Sequence, residues 1–163
     1  MCMGPELALL GTVIGAAGSI QQGKAQAAAY DAQAKANDQN SRIAERQAQE
    51  EAASGAREER LIRRQTQADM GTQRAMFASN GLDSSSGSPL DIQTSTAFNG
   101  EMDALTLRRN TGFNVWGLQN EAVNYRNQAR ANRSAAKNAK TAGYIDAASK
   151  MLTGVGNYQK YKS

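Results

Sequence analysis

The chain has 163 residues, a net charge of +4, three Phe, one Trp, one Cys and no His. That inventory excludes a Ser-His-Asp triad, a Cys/His pair, a Cys/His zinc site and an internal disulfide framework. Ala supplies much of the hydrophobic content; it favours helix but buries little area, so long thin helices that pack on partner chains are expected in place of a thick core.

The first segment, residues 1–23, has no charged residue from Leu7 to Ile20. Gly11, Gly15, Ser19 and Gly23 recur every four residues and share one helix face, the pattern of a glycine zipper, with Leu7, Leu10 and Ile14 as its apolar companions. The run falls short of the ~20 apolar residues of a spanning helix, and only Glu6 precedes it, where a secretory signal would carry base. Insertion into a bilayer and tight packing on protein both fit this segment.

Residues 24–79 read as one long Ala/Gln-rich helix, with Gly55 and Gly71 as candidate bends. Ala25, Ala29, Ala32, Ala36 and Ile43 suggest a narrow, heptad-like seam. The mixed charges from Arg57 to Arg64 suit a solvated face with i,i+4 pairs.

Residues 80–88 form a hinge loop. Gly81 can take the left-handed conformation that closes a helix, with Leu82 as the apolar residue that accompanies such a cap. Ser88, Pro89 and Asp91 stand at the N-cap, first and third positions of a new helix, a Ser-x-x-Asp box. One helix is therefore expected to end near Ser79 and another to begin near Ser88.

The second long helix, residues 89–141, carries the broadest apolar surface of the chain. Phe98, Met102, Leu105, Phe113, Trp116 and Val123 lie near one stripe, and Leu107, Val115, Leu118 and Tyr125 near a neighbouring one. Folded back at the hinge, this surface would meet Met76, Phe77, Leu61 and Ile62, giving a hairpin core of Met76, Phe77, Met102, Leu105, Phe113 and Trp116. Gly112 and Gly117 are places where helices could approach or bend.

Further on, Arg126, Arg130, Arg133, Lys137 and Lys140 step by four, three, four and three, so five bases share one face, and no acid follows until Asp146. DNA phosphate, an anionic lipid surface and an acidic protein partner all suit such a stripe. The tail, residues 142–163, is a second small-residue segment ending in Tyr158, Tyr161 and two lysines, a composition that suits a membrane interface or a protein contact. No Gly-rich phosphate loop follows a strand, and no stretch alternates like a strand, so neither an enzyme nor a cofactor or metal site is expected.

Four pieces of this sequence resemble the internal virion, or DNA-ejection, protein family of short-tailed, podovirus-type bacteriophages. They are the Met1-Cys2 start with its Gly/Ala run, Gln22 to Ala27, the central Ser79–Asp91 stretch with Gly100 to Leu105, and Ala148 to Gly154. The resemblance implies an all-α homo-oligomer stored inside the capsid near the portal, with other internal virion proteins as neighbours. On delivery such proteins enter the host envelope and line a conduit for the genome, meeting phage DNA and host membrane lipid. It implies no catalytic residue. A head-to-tail adaptor that never meets lipid, and a bacterial glycine-zipper envelope protein, are the competing readings of the same residues.

Overall fold

In a computed structural model of the chain, the backbone is described over residues 5–162 and the side chains over residues 11–156. Two helices, α1 (Pro5–Ser79, 75 residues) and α2 (Gly87–Lys162, 76 residues), pack as a hairpin. The all-α class and the hairpin expected from sequence are therefore present. Neither the composition change at residue 23 nor the one at residue 141 interrupts a helix, and α1 continues through Gly55 and Gly71.

The turn begins as the sequence implies. Gly81 has φ +70°, the Leu82 N–H donates to the Phe77 carbonyl (3.0 Å) and the Gly81 N–H to the Ala78 carbonyl (3.1 Å). This pair of bonds is a Schellman cap. The entry to α2 differs from expectation. Among the described residues no side-chain bond joins Ser88 and Asp91, and α2 already starts at Gly87, whose φ is +61°. Asp83 instead braces the loop ahead of the helix: its carboxylate accepts the Ser85 N–H (2.9 Å) and the hydroxyls of Ser85 (2.6 Å) and Ser86 (3.0 Å). Gln93, in the second turn of α2, is 3% exposed and donates back to the Ser84 (2.9 Å) and Pro89 (3.3 Å) carbonyls. With the serines held by Asp83 and a glycine available for positive φ, the chain enters the helix before Ser88 and leaves the box unused.

The chain divides into two compact units. The termini unit comprises Met1–Ser41 with Val123–Ser163, and the loop unit comprises Arg42–Ala122. Each contains a stretch of α1 lying antiparallel to a stretch of α2, and each is held by a seam of small residues. In the termini unit the seam is Ala16, Ser19, Gly23, Ala27, Ala34 and Ser41 against Ala129, Ala136, Gly143, Ala147 and Gly154, all buried. In the loop unit it is Ala44, Ala48, Gly55 and Glu59 against Gln93, Gly100, Ala104 and Ala122. Among the described residues no large side chain is fully buried.

This corrects two expectations. The seam of Ala25, Ala29, Ala32, Ala36 and Ile43 is exposed, and the buried alanines lie on the neighbouring stripe through Ala27, Ala34 and Ala48. The hairpin core is also misplaced. Met76, Met102, Leu105, Phe113 and Trp116 are exposed, Trp116 at 65%, and only Phe77 is half-buried. The neighbouring stripe of Leu107, Val115 and Leu118 is the one that is half-buried. The reason is geometric. Glycines and alanines at the seam let the two backbones approach closely, which leaves no room there for rings, and a two-helix pair has no third layer to cover the opposite face.

Glycine marks the closest approaches. A Cβ built on Gly23 would lie 2.8 Å from the Ala139 carbonyl oxygen and 2.9 Å from the Gly143 Cα. One on Gly154 would meet Thr12 at 2.5 Å, and those on Gly55 and Gly100 would collide with Thr111 and Thr66. Gly112 and Gly117, by contrast, have open space around them and neither is a point of helix approach.

Candidate functional site

Three surfaces of the chain were singled out by sequence, and each has a definite place. The first is the small-residue face near the N-terminus. Ser19 and Gly23 are buried in the seam of the termini unit and Gly15 is half-buried beside Lys150, while Gly11 is exposed with nothing around it. This chain's own α2 therefore covers most of that face. Ile14 is exposed, and the side chains of Leu7 and Leu10 lie outside the described residues. No helix among the described residues is long and apolar enough to cross a membrane.

The second surface is the basic stripe of α2 in the same unit. Arg126, Arg130, Arg133, Lys137 and Lys140 are all exposed along one flank of the helix pair. Arg133 reaches across the seam to Asp38, and Lys140 to Asp31 (3.7 Å). Such exposed pairs contribute little stability, about 0–1 kcal/mol each, but they hold the long side chains over the flank. Further along, Lys150 Nζ lies 2.8 Å from Asp146 and donates to Ser19 Oγ at 2.6 Å. The Lys150 hydrogen bond, followed by one to Ser19, holds the Asp146 carboxyl below its ordinary range. The charge asymmetry between the units is large. The termini unit has ten basic against four acidic residues, and the loop unit has nine against eleven.

The third surface is the outer face of α2 in the loop unit. Phe98, Met102, Leu105, Phe113 and Trp116 follow steps of three and four, with Arg109 among them, its guanidinium 5.5 Å from the Phe113 ring centre. All are exposed and lie on the side of the helix away from the buried Gly100 and Ala104. The same unit's seam is polar at its edges. Glu59 is 8% exposed and bridges Arg63 and Arg108, both at 3.1 Å, while Arg63 also meets Glu101 at 2.8 Å. Asn114 donates to Glu51 (3.0 Å), Arg74 to Gln93 (2.7 Å) and Gln73 to Thr96 (2.8 Å). Thus the charges of Arg57 to Arg64 do make one i,i+4 pair, but they also tie the two helices together.

A family model described as the T7 virus internal virion protein gp14 family matches residues 1–163, the whole chain. The chain belongs to that family. No curated protein and no solved structure gave a match. Membership in the gp14 family assigns the chain a role among the internal proteins of a phage particle, in agreement with the resemblance carried by its central Ser79–Asp91 stretch.

Sequence reasoning missed the residues that fix the register of this gp14-family hairpin. The cross-helix pairs Arg108–Glu59, Arg74–Gln93, Thr66–Gly100 and Gly55–Thr111 gave no local signal, since the two members of each lie far apart in the sequence. One signal was available: Gly55, Thr66 and Gly100, Thr111 are each eleven residues apart, a spacing that keeps residues on one helix face over three turns.

Proposed function

We propose that this protein is a non-enzymatic component of the phage internal core that acts as a homo-oligomer and passes into the host envelope during ejection, where it contributes to the channel that conducts the genome. The observation that carries the reading is the whole-length match to an internal virion protein family. The shape of the helices supports it. A pair of helices joined mainly by small residues buries little area, and an outward stripe from Phe98 to Trp116 is an apolar face suited to packing between copies. Neighbouring internal virion proteins and the portal are its proposed partners inside the particle, and phage DNA and host lipid during delivery.

Mass spectrometry of purified virions before and after triggered genome release tests this. The chain is expected in intact particles and depleted from emptied ones, and it is expected in the envelope fraction of infected cells. Retention in emptied particles would favour a second reading, a head-to-tail adaptor that stays with the capsid. That reading has one observation of its own, the absence among the described residues of a helix long and apolar enough to cross a membrane. Absence from intact virions would overturn the proposal.

A further inference from the structure

The face of α2 that carries the five bases does not end at Lys140. Continuing by three and four, positions 144, 148, 151 and 155 fall on the same face, and these are Tyr144, Ala148, Met151 and Val155. Ile145 and Leu152 adjoin them at 65% and 75% exposure, and Tyr144, Met151 and Val155 are exposed as well. One continuous helix face of the termini unit is therefore basic over its first half and apolar over its second. It lies about a quarter turn from the seam formed by Ala129, Ala136, Gly143 and Ala147, so the pairing with α1 leaves it open.

The acids around this face are few and occupied. Asp146 is the one acidic residue after Glu121; it sits on the far side of α2 from Tyr144 and Val155, held by Lys150. On α1, Asp31 and Asp38 meet Lys140 and Arg133 at the edge of the stripe. The outward charge is thus of one sign.

We infer that this face, from Arg126 to Val155, docks obliquely on an anionic lipid bilayer, its bases over the phosphate headgroups and Ile145, Met151, Leu152 and Val155 dipping into the acyl boundary. This deepens the envelope step proposed above and rests on that reading. Three arguments favour lipid as the occupant. A second copy presenting the same face in parallel register would set base against base, which is repulsive. A DNA backbone would engage the bases but has no use for the apolar half. An anionic membrane satisfies both halves, since headgroup attraction and shallow apolar burial add together. The ~22 Å between Lys140 and Val155 is enough for a tilted helix to keep its bases at the surface while the apolar end sinks ~5–10 Å. Docking of this kind needs no membrane-spanning helix, in keeping with the absence of one among the described residues.

The test uses the full chain and vesicles of mixed phosphatidylglycerol and phosphatidylcholine, with pure phosphatidylcholine vesicles and a short DNA duplex as comparisons. One variant replaces Ile145, Met151, Leu152 and Val155 with Gln; a second replaces Arg126, Arg130, Arg133, Lys137 and Lys140 with Gln. All nine side chains are exposed, so circular dichroism is expected to match the parent for both. The parent is expected to co-sediment with the anionic vesicles and to bind neutral ones far more weakly. Each variant is expected to lose about tenfold or more of that binding. In a Trp116→Phe background, Leu152→Trp is expected to shift its emission to the blue on vesicles and to be quenched by brominated lipid. Vesicle binding undiminished in the apolar variant overturns the proposal, as does a parent that binds the duplex but not the vesicles. Failure here with the chain still lost from emptied virions would leave the ejection role standing and remove only this lipid contact.

Discussion

The termini unit and the loop unit use the same device for pairing, small residues that bring two backbones together, but they secure it differently. In the termini unit the closest contact is backbone against backbone, Gly23 on Gly143, and the surrounding charge is strongly positive. In the loop unit glycine meets threonine at Gly55–Thr111 and Gly100–Thr66, and a polar set centred on Glu59 crosses the seam. The lesson is that small seams supply proximity but little register. Where aromatic residues face outward, as they do along Phe98 to Trp116, specificity must come from polar groups and steric fit.

The largest effect is expected where a side chain is forced into a seam. Gly23→Leu in the termini unit and Gly100→Leu in the loop unit should each destabilise by ~3 kcal/mol, the upper part of the range for overpacking, in urea unfolding followed by circular dichroism. Gly112→Ala, which adds a methyl in open space, should instead stabilise by about 0.5–1 kcal/mol by reducing the freedom of the unfolded chain. Equal effects from all three would erase the distinction between seam and surface.

Next comes the cap. Gly81→Val places a β-branched residue at φ +70°, a strain of ~1–3 kcal/mol, and is expected to lower the unfolding midpoint and incorporation into virions. A variant that melts like the parent would show that this cap is not needed to close the loop unit.

Glu59→Gln sharpens the comparison from the other side. It leaves Arg63 and Arg108 without their shared carboxylate and should cost ~1–2 kcal/mol. The double exchange of Asp31 and Asp38 to Asn in the termini unit, where the pairs are exposed, should cost less than that. Reversal of this order in thermal unfolding would mean that the termini unit, too, depends on cross-helix charge.

A smaller effect is confined to acid. The Ser85 hydroxyl and N–H, then the Ser86 hydroxyl, hold the Asp83 carboxyl below its ordinary range. A carboxyl depressed in the folded state contributes stability above its unfolded pKa and loses that contribution as pH falls through the folded value. Stability of the parent should therefore decline on acidification below the ordinary carboxylate range, and Asp83→Asn should flatten part of that decline while leaving Gly23-type effects untouched. A parallel acid profile for the two proteins would rule this out.

The smallest effect on unfolding is expected from Trp116→Ser or Phe113→Ser, within about 0.5 kcal/mol, because both rings are exposed. The same substitutions should reduce self-association in analytical ultracentrifugation if the stripe packs between copies. A loss of several kcal/mol would restore these rings to an interior position.

Much of this molecule was legible in the chain itself. The Schellman cap at Gly81 followed from a glycine and a leucine at the right spacing, because such a cap is decided within six residues. Helix over nearly all of α1 and α2 followed from Ala, Gln, Glu and Arg, whose propensity acts locally. The resemblance to internal virion proteins, in four pieces of the chain, was likewise carried by the order of residues, above all from Ser79 to Asp91. Which of two adjacent stripes turns inward was decided only by tertiary structure. On α1 the alanines of both stripes look alike, and on α2 the aromatic stripe is the more hydrophobic of the pair, yet Gly23, Gly55, Gly100 and Gly143 admit a second backbone where Trp116 and Phe113 cannot. That choice depends on the shape of the opposing helix, a partner far away in sequence, and no local pattern records it.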